Sequence, residues 1–186
     1  MPSYAVLPPL VAVLQAAHQA AEWHAPQRRK GEAAEPYINH LLEVASLVAE
    51  ATQGNDANLI IAALLHDATE DCAIPNEDLV ARFGPDVASL VAAVTDDKTL
   101  PKAERKRLQI DHAAHAAPRT KILKLADKTS NLRALAASPP AGWATARKQE
   151  YLAWARAVVA GTRGASPWLE AQFDAAAGDA ERAIGS

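Results

Sequence analysis

The chain has 186 residues, enough for one domain with a buried core, and 49% of them are apolar, which excludes a disordered chain. Its net charge of −3 gives no global pull towards nucleic acid or an anionic membrane. The single cysteine, Cys72, excludes an internal disulfide and fits a reducing compartment. Alanine is abundant and aromatic residues are few, so the balance favours helices over strands. The longest apolar run, Leu59 to Leu65, is too short to span a bilayer. No basic region precedes the N-terminal apolar residues, so no signal peptide is expected. A soluble, cytoplasmic, all-α protein is expected, with neither nucleic acid nor membrane as partner.

In chain order, Met1 to Pro9 reads as a short lead-in. Leu10 to Trp23 carries apolar residues at helical spacing, with His18 on it and His24 just after it. Arg28-Arg29-Lys30-Gly31 opens a polar loop that runs to Glu35. Pro36 and Tyr37 begin a second helix, whose apolar face is Leu41, Leu42, Val44, Ala45 and Val48 and whose end is Gly54. His40 lies in its first turn. A third helix is expected from Asn58 to Asp71. After the turn Ala73-Ile74-Pro75, Asn76-Glu77-Asp78 caps a short helix to Phe83, and Gly84-Pro85 breaks it.

Asp86 to Val94 is another apolar helix, and Thr95 to Pro101 a charged loop. Pro101 is placed to begin a helix carrying Lys102, Arg105, Lys106 and Arg107. Pro118 precedes a long helix, Thr120 to Ala136, buried through Ile122, Leu123, Leu125, Ala126, Leu132 and Leu135. Asp127 sits in its middle, flanked by Lys121, Lys124 and Lys128. Pro139-Pro140-Ala141-Gly142 ends it. Trp143 to Ala160 and Ser166 to Ala183 close the chain as amphipathic helices, with Trp154 and Trp168 read as packing residues. Their apolar faces could pack internally or against a second copy.

Apolar runs rarely lead into polar groups unless the helix end lines a site. Leu59 to Leu65 leads into His66-Asp67, and Glu70-Asp71 follow one turn later. A mid-helix aspartate such as Asp127 is costly among apolar neighbours unless paired or metal-bound. His40, His66, Asp67 and Asp127 therefore form a candidate ligand set. Two imidazoles and two carboxylates suit Mn²⁺, Fe²⁺ or a similar ion better than a thiolate zinc site does. Glu70 shares the face of His66 and Asp67 if the helix continues, and Asn131 is one turn beyond Asp127. A metal lowers the pKa of bound water, and Glu70 or Asp71 can take or orient its proton. Arg29, Lys30, Lys98 and Lys102 would neutralise a phosphate ester.

The stretches Arg28-Arg29-Lys30 with Pro36 to His40, AALLHDATED (62–71), VTDDKTLPKAERKRLQ (94–109), KLADKTSNLRAL (124–135) and Gln149-Glu150-Tyr151 occur in that order. Together they resemble the HD-domain (p)ppGpp hydrolases, and among them the small stand-alone type called metazoan SpoT homologue. The resemblance implies an HD-domain helical bundle over residues 1–186, with a catalytic core at about 25–170. It implies one Mn²⁺ per site and hydrolysis of the 3′-diphosphate of guanosine tetra- or pentaphosphate to GDP or GTP plus pyrophosphate, in alarmone degradation during the stringent response.

The metal ligands it implies are His40, His66, Asp67 and Asp127, with Glu70 and Asp71 acting on water. Arg29, Lys30, Lys102, Asn131, Arg147 and Tyr151 become the substrate contacts. Thr129-Ser130 departs from the family's usual apolar residue followed by an aromatic or histidine, which predicts altered base or ribose packing. No synthetase or regulatory segment follows the hydrolase motifs, so hydrolysis without synthesis is expected. Two alternatives stand beside this reading: removal of the 2′-phosphate of NADPH, and a catalytically silent nucleotide-binding module.

Overall fold

The computed structural model describes residues 8–185. The lead-in expected at Met1 to Pro9 lies outside them for residues 1–7. The elements, in order, are α1 (Pro9–Trp23), α2 (Ile38–Ala51), α3 (Ala57–Leu65), α4 (Ala68–Cys72), α5 (Asn76–Phe83), α6 (Pro85–Ala92), α7 (Lys102–Ala113), α8 (Pro118–Ala137), α9 (Thr145–Ala160) and α10 (Pro167–Gly185). Among the described residues there is no strand, only an isolated bridge between Arg28 and Pro36. The expected all-α class holds.

α3 is the axis of the bundle. Every residue from Leu59 to Leu65 is buried, so this helix is apolar all round. It packs on α1, α2, α6 and α8. Its start is set by Asp56, whose side chain accepts from the Leu59 N–H at 3.0 Å. Truncating a fully buried leucine here, such as Leu65→Ala, would cost about 2–5 kcal/mol. Arg119, at the start of α8, reaches both Asp56 and Asp86 and ties the α3 cap to the first turn of α6.

α8 lies against α10, α2 and α9. That enclosure buries Lys124 and Lys128 along with its apolar residues. The apolar faces of the closing helices point inward through Leu152, Ala155, Leu169 and Phe173. Trp168 departs from its expected packing role, being 38% exposed. It is one position away from Leu169 and so about 100° around the helix from the buried face.

The largest departure is the third helix. The stretch expected to run unbroken to Asp71 is split into α3 and α4 at His66 and Asp67, and Asp67 is the N-cap residue of α4. Glu70 and Asp71 are thus in the first turn of a new helix, where acids suit the macrodipole, rather than at the end of an old one. α2 also stops before Gly54, which turns the chain at φ +72°.

The loop between α1 and α2 is tied down onto the end of α8. Ala33 N–H donates to Ser138 Oγ at 3.0 Å, and Gly31 passes so close to the Ser138 carbonyl that a side chain would not fit. This carries Arg29 and Lys30 to the same cavity as His40.

Candidate metal centre

Three parts of the chain bring the four proposed ligands together. His40 comes from the first turn of α2, His66 and Asp67 from the α3–α4 break, and Asp127 from the middle of α8. His40 Nε2 lies 3.7 Å from Asp67 Oδ2 and 3.4 Å from Asp127 Oδ1. His66 Nε2 lies 3.2 and 3.7 Å from the same two oxygens. The break after Leu65 is what turns Asp67 towards the imidazoles.

The outer partners decide what these atoms offer. His66 Nδ1 faces the Ala63 carbonyl at 2.7 Å, so it must donate. His40 Nδ1 is 2.8 Å from Ser130 Oγ, and Ser130 donates its one proton to Glu43 Oε2 at 2.7 Å. His40 Nδ1 therefore donates to Ser130 as well. In their neutral forms both rings keep an Nε2 lone pair beside the two carboxylate oxygens, and buried His66 Nε2 has no hydrogen-bond partner among the described residues. His40, His66 and Asp67 offer ligand atoms within 4.8 Å of one another, and Asp127 Oδ1 stands beside both imidazoles. These N and O donors fit a divalent ion.

The electrostatics agree. Burial opposes charge on His66, but Asp67 and Asp127 outweigh it and hold its pKa well above the usual histidine range. Burial pushes His40 down, and His66 and Arg29 reinforce this against Asp127. Burial would raise both carboxyls, yet His66 holds Asp67 low, and Lys128 with the two histidines holds Asp127 low.

Tyr37, which the sequence reading passed over, donates its hydroxyl to Asp67 Oδ2 at 2.6 Å. Its ring stacks on His24, with centroids 5.2 Å apart. Asn131 Nδ2 donates to Asp127 Oδ1 at 2.6 Å, and its carbonyl accepts from Arg29 at 3.1 Å. Asn131 thus links Arg29 to Asp127 as well as lining the cavity.

Glu70 and Asp71 differ in what holds them. Both oxygens of Asp71 are occupied: Oδ2 accepts from Gln27 at 2.8 Å and Oδ1 from Lys98 at 3.1 Å. Glu70 is held more loosely, by the Asp96 N–H at 3.5 Å and by ion pairs with Lys98 Nζ at 3.7 Å and Arg105 Nη1 at 3.8 Å. Burial, then the charges of Asp67 and Asp96, raise its pKa above the usual carboxylate range. Lys98, expected as a cation for phosphate, is turned onto the Glu70 carbonyl and the Asp71 carboxylate.

All the predicted site residues line one cavity of about 630 Å³: His40, His66, Asp67, Glu70, Asp71, Asp127, Arg29, Lys30, Lys98, Lys102, Asn131, Arg147 and Tyr151. Lys30, Lys102 and Arg147 are exposed at its rim. Trp143, Tyr151 and Trp154 form an aromatic wall, with Arg147 over Trp143 at 4.4 Å. Burial pushes the Tyr151 phenol up to about 12. Trp154 is more than a packing residue, since its ring faces the ammonium groups of Lys106 and Lys128. Thr129 and Ser130 do not line the cavity. Thr129 donates back to the Leu125 carbonyl, and Ser130 lies behind His40. Arg105 and Lys106, whose helix allows either a solvated face or phosphate contact, also line the cavity, as do Lys124 and Lys128, which flank Asp127 and stand one turn apart.

The profile of the HD domain matches residues 16–156. The guanosine-3′,5′-bis(diphosphate) 3′-pyrophosphohydrolase MESH1 of Xenopus tropicalis is 49% identical over 162 residues, covering 87% of this chain and 90% of that protein. The enzyme of the same name from Homo sapiens is 47% identical over 158 residues, covering 85% and 88%. A solved structure, described as a metazoan ortholog of SpoT that hydrolyzes ppGpp and plays a role in starvation responses, superposes with a TM-score of 0.86. It is 42% identical over 92% of this chain and 96% of that one.

Proposed function

Because this chain belongs to the HD-domain family, and within it to the MESH1-type guanosine-3′,5′-bis(diphosphate) 3′-pyrophosphohydrolases, we propose that it removes the 3′-diphosphate of ppGpp as pyrophosphate, leaving GDP. The observation that carries the proposal is the convergence of two imidazole lone pairs and two carboxylates beside a loosely held, raised-pKa Glu70. His40, His66, Asp67 and Asp127 would hold one Mn²⁺, which the mixed N/O donors support. When bound, that ion supplies charge neutralisation and a more acidic water.

The chain's own groups do the rest. Glu70 takes a proton from water as the oxygen attacks the phosphorus attached to the ribose 3′ oxygen. The P–O3′ bond breaks, pyrophosphate departs, and Glu70 returns the proton to the ribose oxygen. Asp71 and Lys98 fix the turn that carries Glu70. Arg29, Lys30 and Lys102 bear on phosphate charge, and Trp143, Tyr151 and Arg147 offer flat surfaces to a purine.

We place the activity in alarmone degradation during the stringent response, with support from the starvation role of the solved relative. A cytoplasmic site of action follows from a nucleotide substrate and a lone cysteine. One HD-type domain is supported by a core cluster that draws on α1, α2, α3, α5, α6, α8, α9 and α10.

The test is to give the purified protein, with Mn²⁺, ppGpp, NADPH and ordinary nucleotide monophosphates in parallel. Pyrophosphate from ppGpp that vanishes in Asp67→Ala is the expected result. Free phosphate from NADPH alone would overturn the reading. No turnover of any substrate with metal bound would point to a silent module.

A further inference from the structure

Among the lysines of the cavity, Lys124 is buried and Lys106 half-buried with no carboxylate in contact among the described residues. Lys124 is 9% exposed, lines the cavity, and makes neither a hydrogen bond nor an ion pair through its ammonium among the described residues. Only the more remote charges of Asp127 and Asp96 act on it, while burial and Lys128 press it towards neutrality. Lys106, half-buried on α7, likewise makes no ion pair among the described residues, though the charge of Glu150 acts on it. Its ammonium stands 5.0 Å from the centre of the Trp154 ring and 6.0 Å from that of Tyr151. Lys128 faces the same Trp154 ring at 4.6 Å, but its charge is committed to Asp127 Oδ2 at 2.8 Å.

Desolvating the Lys124 ammonium is costly, and no carboxylate in contact offsets it. The arrangement makes sense if an anion completes it. Its location suggests which one. Lys124 is one turn before Asp127 on α8, on the face that meets the histidines. Arg29 reaches the other side of Asp127 through Asn131, one turn after it. Cations therefore flank the ligand cluster at both ends of that stretch of α8. A lone phosphate centred on the cluster has few oxygens to spare for the lysines, whereas a diphosphate brings a second set of oxygens and more charge.

We propose that Lys106 and Lys124, set against Trp154 and Lys128, form an anion subsite for the distal phosphate of a diphosphate whose nearer phosphate lies at the His/Asp cluster. This inference rests on the function proposed above and adds the feature that separates a diphosphate ester from a monophosphate ester.

The experiment is calorimetric titration of inorganic pyrophosphate, and separately of orthophosphate, into protein carrying one equivalent of Mn²⁺. Lys124→Met and Lys106→Met keep the aliphatic stem and remove the charge. Each is expected to weaken pyrophosphate about tenfold, to leave orthophosphate within about twofold, and in Lys124→Arg to be largely rescued. Equal loss of both anions, or no loss of either, overturns the subsite. Turnover of ppGpp is measured alongside. If wild-type protein hydrolyses ppGpp but the variants are unselective, the subsite falls and the substrate reading stands. If wild-type protein leaves ppGpp intact while the variants lose pyrophosphate selectively, the substrate reading falls and the subsite stands.

Discussion

Ser130 Oγ accepts from His40 Nδ1 at 2.8 Å while donating to Glu43 at 2.7 Å, so a hydroxyl on α8 sets the tautomer of a histidine on α2. Glu43 is itself held by Arg133 at 3.0 Å. Outer partners of this kind are worth about 10–100-fold in metal affinity. Ser130→Ala is expected to weaken Mn²⁺ binding about tenfold in a chelator competition, and Glu43→Gln to do so by less, because an amide oxygen can still accept. Ser130→Ala also strands a buried N–H and should lower stability by about 1–3 kcal/mol. Unchanged metal affinity in both variants would remove the relay from the account.

Tyr37→Phe separates ring from hydroxyl. The ring keeps its stack on His24, while Asp67 Oδ2 loses its 2.6 Å donor. Thermal stability should change little and Mn²⁺ affinity should fall about tenfold. A large drop in melting temperature with normal metal binding would instead make Tyr37 a packing residue.

Glu70→Gln should retain metal and lose most turnover, at least about a hundredfold in kcat. As the base, Glu70 must be ionised, so activity should rise with pH through its raised pKa. Asp96 contributes to that rise through its negative charge. Asp96→Asn removes the charge, lowers the Glu70 pKa and should move the acid limb of the kcat/KM profile to lower pH. A limb that stays in place or moves up would assign it to another group.

Arg119 bridges Asp56, the cap of α3, and Asp86, in the first turn of α6. Arg119→Met should cost about 1 kcal/mol by urea unfolding, since the group is partly exposed. Its hydrogen bond to Asp86 holds that carboxyl below the usual range. A depressed carboxylate adds stability above its unfolded pKa and loses it as pH falls through the lower folded value. The difference between wild type and Arg119→Met should therefore shrink on acidification below about pH 4.

Metal should also stabilise the fold. With one site and no binding to the unfolded chain, Mn²⁺ at about a hundred times its Kd adds about 2.7 kcal/mol, read as a rise in melting temperature that a chelator reverses. The rise should be absent in His66→Ala, which removes one of the converging lone pairs.

The chemistry-bearing residues were legible because their types and spacing are costly without a purpose. A histidine and aspartate closing an apolar run, and an aspartate in a buried helix, call for partners whatever the tertiary arrangement. The elements were legible for a similar reason, since prolines and glycines mark most boundaries. Less visible were Tyr37, Ser130 and Glu43. Each is an ordinary residue whose importance depends on what another helix places beside it.

By itself the sequence determined the all-α class and marked His40, His66, Asp67 and Asp127 as candidate ligands with Glu70-Asp71 beside them, because periodicity and the cost of burying polar groups are local properties of the chain. Only the tertiary structure decided three things. It broke the helix at His66-Asp67, because Asp67 must turn to meet His40 and Asp127. It divided Glu70 from Asp71, because Gln27 and Lys98 arrive from distant segments to occupy one of them. And it set Lys106 and Lys124 in the cavity with no carboxylate in contact among the described residues, because the packing of α7, α8 and α9 around Trp154 gathers charges that the sequence keeps apart.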